Sequence, residues 1–162
     1  MYVLYVNFDL AKGIWYPIVL TILLILIILI SPKKLSKQEF YVTFGVIGYV
    51  VWMVDITLAA PFDIFDIGTK RNGLPELLLF GLIPSCIAII FLNFYQSTSK
   101  KKALIILFII SSFILEWLAE ITGIMTSKIW HAYYSIPIFT VVFYFALPWH
   151  LKFIRTGDYS NK

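Results

Sequence analysis

The sequence predicts an all-α polytopic membrane protein, a bundle of five transmembrane helices. Its 162 residues are 60% hydrophobic and only 14% charged, whereas an ordinary soluble domain has about 25% charged residues. Apolar runs recur five times, each near the length of about 20 residues that crosses a bilayer as a helix. We therefore predict one transmembrane domain over residues 1–152, followed by a tail at 153–162.

Polar and helix-breaking residues place the boundaries of the five spans. Ser31 and Pro32, followed by two lysines, end the first run, and Pro61 ends the second because proline removes a backbone donor. Gly81 and Pro84 predict a kink in the third. The apolar residues after Pro61 suggest that the first half of that loop dips into the membrane interface. The predicted spans cover residues 14–30, 40–60, 77–94, 103–125 and 129–147.

Lysine and arginine residues are distributed unequally between the two sides of the predicted bundle. Nine lie on the side that carries the loops around 33–37 and 100–102 and the C-terminal tail, and four lie on the other side. Because cytoplasmic loops are enriched in Lys and Arg, we predict a plasma-membrane protein with its N-terminus outside and its tail in the cytoplasm. Short basic clusters beside apolar runs also argue against a nucleic-acid partner.

Two glutamates, Glu116 and Glu120, interrupt the fourth apolar run. An acidic residue near the middle of a span costs roughly 2.5–3.5 kcal/mol on insertion scales, so both need a physical reason. One helical turn separates them, which brings their Cβ atoms within about 5–6 Å, and two unpartnered charges at that distance repel. We expect that at least one of them is protonated or that a cation lies between them.

The predicted orientation brings other ionisable residues to the level of this pair, near the outer surface. The second span contributes one acid, the loop after it contributes three, and the fifth span begins with a histidine. The candidate polar cavity contains Asp55, Asp63, Asp66, Glu76, Glu116, Glu120 and His131. In the alternative interpretation, the two glutamates are hydrogen-bonded to Ser112, Thr122 or nearby Tyr and Trp residues and serve helix packing.

The second span also carries a stripe of mostly small residues. At 3.6 residues per turn, the stripe consists of Gly45, Gly48, Trp52, Asp55 and Ala59. Small residues permit close approach of neighbouring helices in a membrane. We therefore expect this stripe to face the bundle.

The motifs of several enzyme classes are absent from the sequence. It contains no H-E-x-x-H, C-x-x-C, G-x-x-x-x-G-K-[ST] or G-x-S-x-G pattern, and we predict no cofactor. The segment D-I-F-D-I-G lacks the alternating acids of a calcium loop, and no set of metal ligands is predicted. The single cysteine, Cys86, cannot form an intrachain disulfide.

Four features follow one another from Trp52 onward: P-F-D-I-F-D after the second span, L-N-F-Y followed by S-K-K-K, a Glu in the fourth span, and I-W-H-A-Y-Y-S at the start of the fifth. In this order they resemble a family of small, uncharacterised multi-pass integral membrane proteins of spore-forming Firmicutes. Gln96 replaces the proline expected after N-F-Y. The resemblance implies a bacterial five-span membrane protein and carries over no catalytic residue.

Three functions remain open from the sequence. The leading hypothesis is a non-enzymatic membrane protein whose outward-facing acidic cavity binds a cation, a proton or a small polar or lipid ligand. The second is a membrane-embedded enzyme acting on a lipid or isoprenoid, with Glu116 or Glu120 as general acid or base. The third is a structural subunit of a membrane complex. The expected partners are the lipid bilayer and either another membrane protein or a second copy of the chain.

Overall fold

The computed structural model describes residues 12–59, 61–68 and 73–156, and these residues confirm the all-α bundle of five helices. The helices are α1 (Trp15–Ile30), α2 (Lys37–Ala59), α3 (Leu74–Ser97), α4 (Lys101–Ile121) and α5 (Ala132–Arg155). In the described ranges, α2 to α5 are long and apolar enough to cross a membrane, whereas α1 has 16 residues and measures about 24 Å. The predicted last residue of the second span, Ala60, and residues 157–162 of the predicted tail lie outside these ranges.

α3 is the centre of the bundle. Its side chains Ile89, Phe91 and Leu92 are fully buried, and all four other helices contact it. The Phe91 ring lies 5.2 Å from that of Phe108 on α4 and 5.0 Å from that of Phe143 on α5, measured between centroids. This aromatic cluster, in which Phe91 is fully buried, therefore sits where α3, α4 and α5 meet.

The helices alternate in direction between two ends of the bundle. At one end, the strands β1 (Phe65–Ile67) and β2 (Met125–Ser127) pair, and we call this the ribbon end. At the other, which we call the lysine end, lie the loops that contain residues 33–37 and 100–102. α1, α3 and α5 run from the ribbon end to the lysine end, and α2 and α4 run in the opposite direction.

α1 reaches from the ribbon end to the lysine end although it has only 16 residues. Near its start, the Tyr16 hydroxyl donates a hydrogen bond of 2.6 Å to the Leu115 carbonyl oxygen of α4. Just after its end, the backbone N–H groups of Lys34 and Leu35 donate to Oδ1 of the buried Asn93, at 2.8 and 3.0 Å. These contacts fasten both ends of α1 to the bundle.

Two helix ends differ from the predicted ones for local reasons. α2 begins at Lys37, three residues before the predicted start, because Ser36 and Glu39 form a reciprocal cap. The Ser36 N–H donates to Glu39 Oε2 at 2.7 Å, and the Glu39 N–H donates to Ser36 Oγ at 3.2 Å. α4 ends at Ile121, before the predicted residue 125, because Gly123 has a left-handed φ of 76° that turns the chain away.

Two widened, π-helical segments precede prolines inside the spans. Leu77–Leu82 lies before Pro84 in α3, and Val142–Ala146 lies before Pro148 in α5. Proline cannot donate a backbone hydrogen bond and crowds the preceding turn, so a locally widened turn allows the helix to continue. α5 therefore continues past Pro148 to Arg155, beyond the predicted end of the fifth span at residue 147.

The segment that was expected to dip into the membrane interface forms half of a β-ribbon, and its depth relative to a membrane stays a prediction. β1 pairs antiparallel with β2 in the register Phe65 to Ser127 and Ile67 to Met125, and both Phe65 and Ile67 are buried. The Ile64 carbonyl oxygen also accepts the N–H of Lys128 at 3.1 Å. Backbone polar groups of the loop thus find partners in the α4–α5 connection.

The predicted small-residue stripe of α2 only partly faces the bundle. Gly48 packs so closely on α3 that a Cβ atom there would lie 2.5 Å from Ser85 Oγ and 3.2 Å from the Gly81 carbonyl oxygen. A Cβ atom at Gly45 would meet no atom within 4 Å, and Trp52 is also exposed. The expectation was wrong for Gly45 because α2 comes closest to α3 at Gly48, and the helix surface at Gly45 is left open.

Candidate functional site

Glu116 joins α4 to the start of α5. Its Oε1 accepts a hydrogen bond of 2.7 Å from the Ser135 hydroxyl and one of 3.1 Å from the Trp130 indole N–H. The indole N–H also lies 3.0 Å from Ser135 Oγ, so the three groups form a closed triangle. Ser135 is buried, which keeps this triangle away from the protein surface.

Glu120 has a different partner, although it lies one turn further along α4. The Ser127 hydroxyl of β2 donates a short hydrogen bond to Glu120 Oε1. Of the partners expected from sequence, an indole does take part, since Trp130 donates to Glu116, whereas the Thr122 hydroxyl donates to the Ala119 carbonyl oxygen at 3.1 Å. The two glutamates are therefore held by separate segments of the chain.

Asp55 of α2 approaches the same region from another helix. Its carboxyl group is close enough to Glu116 for the two negative charges to repel each other. Glu116 and Glu120 are related in the same way. None of the three forms an ion pair with a basic residue in the part of the chain that the structure describes. We call Asp55, Glu116 and Glu120 the intramembrane acid group.

Asp63 and Asp66 belong to a second, exposed group at the ribbon end. The Lys128 ammonium lies 2.6 Å from Asp63 Oδ1 and 2.8 Å from Asp66 Oδ2. The hydrogen bonds that the Lys128 ammonium donates to Asp63 and then to Asp66 raise the pKa of Lys128 above its ordinary value. Lys128 directly follows β2, Asp63 precedes β1 and Asp66 is the middle residue of β1, so the ion pairs join the end of one strand to the other strand.

Glu76 and His131 stand apart from both groups. Glu76 Oε2 accepts the Gly73 N–H at 2.8 Å and caps the first turn of α3. His131 is exposed, and its ring stacks on that of Tyr133 with centroids 5.3 Å apart. The seven residues of the predicted cavity are thus distributed over an intramembrane acid group, an exposed ion-paired group and two separate positions.

Sequence reasoning expected a nearby Tyr or Trp donor without naming Trp130, and it missed three other residues that hold these acids: Ser135, Ser127 and Lys128. The segment I-W-H-A-Y-Y-S contained a signal for the Glu116 partners. Its Trp130 indole N–H and Ser135 hydroxyl lie five residues apart at the start of the fifth apolar run. Both are donors that an acid inside a neighbouring span requires. Ser127 and Lys128 offered no comparable signal, since their roles depend on the ribbon.

Among the described residues, no three His, Cys, Asp or Glu side chains are grouped so as to hold a metal ion. Comparison with models of protein families, with curated proteins and with solved structures found no match to the chain.

Proposed function

We propose that this chain is a non-enzymatic, multi-pass plasma-membrane protein whose intramembrane acid group binds a proton or a cation from the outer side. One observation carries the proposal. Asp55 of α2 and Glu116 of α4 interact electrostatically without a basic partner among the described residues. Two acids from different helices share a region that no side-chain cation neutralises.

Electrostatics supports binding of a positive charge there. Removing an ionised carboxylate from water costs several kcal/mol even after relaxation, and a second negative charge nearby adds repulsion. Glu116 already accepts hydrogen bonds from Ser135 and Trp130, which favour its charged form. A proton or a cation shared with Asp55 would balance the remaining charge.

The unequal distribution of basic residues supports access from outside. Residues 33–37, 100–102 and 152–155 lie together at the lysine end, which the positive-inside tendency assigns to the cytoplasm. At about 1.5 Å per residue, Glu116 lies roughly 22 Å and Glu120 roughly 28 Å along α4 from that end. The acid group is therefore near the ribbon end, on the proposed outer side.

Labelling with a hydrophobic carbodiimide tests this function, because the reagent reacts with protonated carboxyl groups in apolar surroundings. Purified protein in bilayers should be labelled at Asp55 or Glu116, and alkaline pH should slow the reaction. Added Na⁺ should slow it further only if the group also binds a cation. Glu76, which caps the start of α3, provides the internal control. The proposal fails if Asp55 and Glu116 react no faster than Glu76, or if pH has no effect.

A structural subunit is the second candidate, and the triangle of Glu116, Ser135 and Trp130 favours it. In that role the carboxylate serves as a hydrogen-bond acceptor that joins α4 to α5. Glu116→Gln separates the two functions, since the amide oxygen still accepts hydrogen bonds but the side chain no longer titrates. Loss of cellular function at unchanged thermal stability supports proton or cation binding, whereas unchanged cellular function of the variant supports the structural role.

Membership of the family of small membrane proteins of spore-forming Firmicutes is also a proposal. Two segments that carry the resemblance, P-F-D-I-F-D and I-W-H-A-Y-Y-S, contact each other at the ribbon end. The Ile64 carbonyl oxygen accepts the N–H of Ile129 at 3.0 Å. Exchanging both segments together with those of a family member should preserve folding, and exchanging one alone should not. Equal folding of all three chimaeras would contradict this part of the proposal.

A further inference from the structure

The lysine end gathers basic residues from three distant parts of the chain around the last turns of α3. Asn93 of α3 holds the first loop through Lys34 and Leu35, as described above. The loop with the second lysine cluster follows directly from α3, and its first residue, Thr98, donates its N–H to the Phe94 carbonyl oxygen at 3.0 Å. From α5, the Arg155 guanidinium hydrogen-bonds to the Gln96 side chain.

Acidic residues do not balance this charge. Glu39 is the one acid that the described residues place at the lysine end, and its two oxygens are already engaged. Oε1 accepts Arg155 Nε at 2.5 Å, and Oε2 accepts the Ser36 N–H. Six exposed lysines form no ion pair within the described part of the chain: Lys33, Lys34, Lys37, Lys100, Lys101 and Lys102.

Exposed aromatic residues mark the depth of these lysines relative to the bilayer. Tyr41 near the start of α2 is 80% exposed, and Trp149 and Phe153 near the end of α5 are each 65% exposed. The Trp149 and Phe153 rings stack on each other with centroids 5.5 Å apart. Tyr and Trp concentrate where hydrocarbon meets head groups, so the neighbouring lysines lie at the level of lipid phosphates.

We propose that the lysine end binds the head groups of anionic phospholipids. The lysines immediately flank the spans, where the phosphate of a lipid is the anion nearest to them, and such clusters attract anionic lipids. Lys101, whose ammonium lies 4.6 Å from the centre of the Tyr95 ring, is held beside α3 in a position to contact a head group. The site is at the opposite end of the bundle from the intramembrane acid group and does not depend on it.

Lipid titration of the purified full chain in neutral detergent tests this proposal. Native mass spectrometry should give tighter binding of phosphatidylglycerol than of phosphatidylcholine, and added salt should reduce the difference. The paired change Lys33→Gln with Lys34→Gln should weaken phosphatidylglycerol binding roughly 25-fold at low salt, since each lysine near a head group contributes about fivefold. Phosphatidylcholine binding should not change.

The matched control removes the same number of charges from the ribbon end, through Lys12→Gln with Lys128→Gln. It should leave phosphatidylglycerol binding unchanged. Equal losses in both double variants would reduce the effect to net charge and overturn the proposal. Equal binding of phosphatidylglycerol and phosphatidylcholine by the unmodified chain would also overturn it. Displacement of phosphatidylglycerol by an equal concentration of inorganic phosphate would overturn it too, because it would indicate a site for the free ion. The unmodified chain supplies the decisive comparison even if a variant fails to fold.

Discussion

The Ser135 hydroxyl donates a hydrogen bond of 2.7 Å to Glu116 Oε1, and this bond joins the first turn of α5 to the second half of α4. The Trp130 indole N–H supports the same carboxylate at 3.1 Å. An acid inside an apolar helix is thereby given two donors from the adjacent segment. Its position is fixed by tertiary contacts and not by its own helix.

Removal of the Ser135 hydroxyl should destabilise the α4–α5 contact. We expect Ser135→Ala to lower the free energy of unfolding by about 1 kcal/mol, the usual scale of hydrogen bonds between membrane helices. Thermal unfolding in detergent measures the change. Thr140→Ala on the same helix is the control, because its hydroxyl donates only to the Ile136 carbonyl oxygen of the preceding turn. Equal effects of the two changes would mean that Ser135 does not support Glu116.

A methyl group at Gly48 should disturb the contact between α2 and α3. In Gly48→Ala the new Cβ would lie 2.5 Å from Ser85 Oγ, whose hydroxyl is 3.0 Å from the Phe44 carbonyl oxygen. Such overpacking costs about 1–3 kcal/mol. Gly45→Ala adds the same methyl group in open space and should leave stability unchanged or slightly improved. Thermal unfolding of the two variants tests whether α2 contacts α3 at Gly48. A larger loss of stability in Gly45→Ala than in Gly48→Ala would contradict this contact.

The ion pairs of Lys128 should persist well above neutral pH. Asp63 and Asp66 raise the pKa of Lys128 above its ordinary value of 10.5, so folding favours the ammonium form. The stabilisation is therefore complete below that ordinary pKa and is lost as the pH rises through the raised one. Amine acylation at mildly alkaline pH should be slower at Lys128 than at the exposed Lys100. Replacing both aspartates by asparagine should abolish the difference; a difference that survives would exclude the ion pairs as its cause.

The proposed orientation predicts which end of the bundle can be labelled from outside. In a Cys86→Ala background, Thr126→Cys on β2 should react with a membrane-impermeant maleimide in intact cells. Ser99→Cys, in the loop between α3 and α4, should react only after the cells are permeabilised. Both positions are exposed in the structure. The opposite labelling pattern would place the lysine end outside.

The number and approximate positions of the helices follow from apolar length alone, and the sequence predicts them well. The helix ends were less predictable, since they depend on the reciprocal cap of Ser36 and Glu39 and on the left-handed turn at Gly123. Pro32 and Pro61 do follow helix ends, whereas the fifth helix continues past the predicted end at residue 147 because a π-helical segment precedes Pro148.

The candidate site was predictable only in part. Glu116 and Glu120 are conspicuous in an apolar run, but a sequence reveals neither the lateral order of helices nor the ribbon. The ribbon brings Ser127 to Glu120 and Lys128 to Asp63. Periodicity also suggested that Gly45 faces the bundle, whereas in a membrane-spanning helix apolar residues face lipid as readily as protein.

Infrared spectroscopy of the protein in bilayers tests the account most directly, because a protonated carboxyl group has a carbonyl band distinct from that of a carboxylate. In buffer free of small inorganic cations at neutral pH, we expect a protonated-carboxyl band from the pair of Asp55 and Glu116. Asp55→Asn should remove or shift this band, and Glu76→Gln should leave it unchanged. A spectrum without the band, or a band unaffected by both Asp55→Asn and Glu116→Gln, would contradict the proposal that these two acids hold a proton between them.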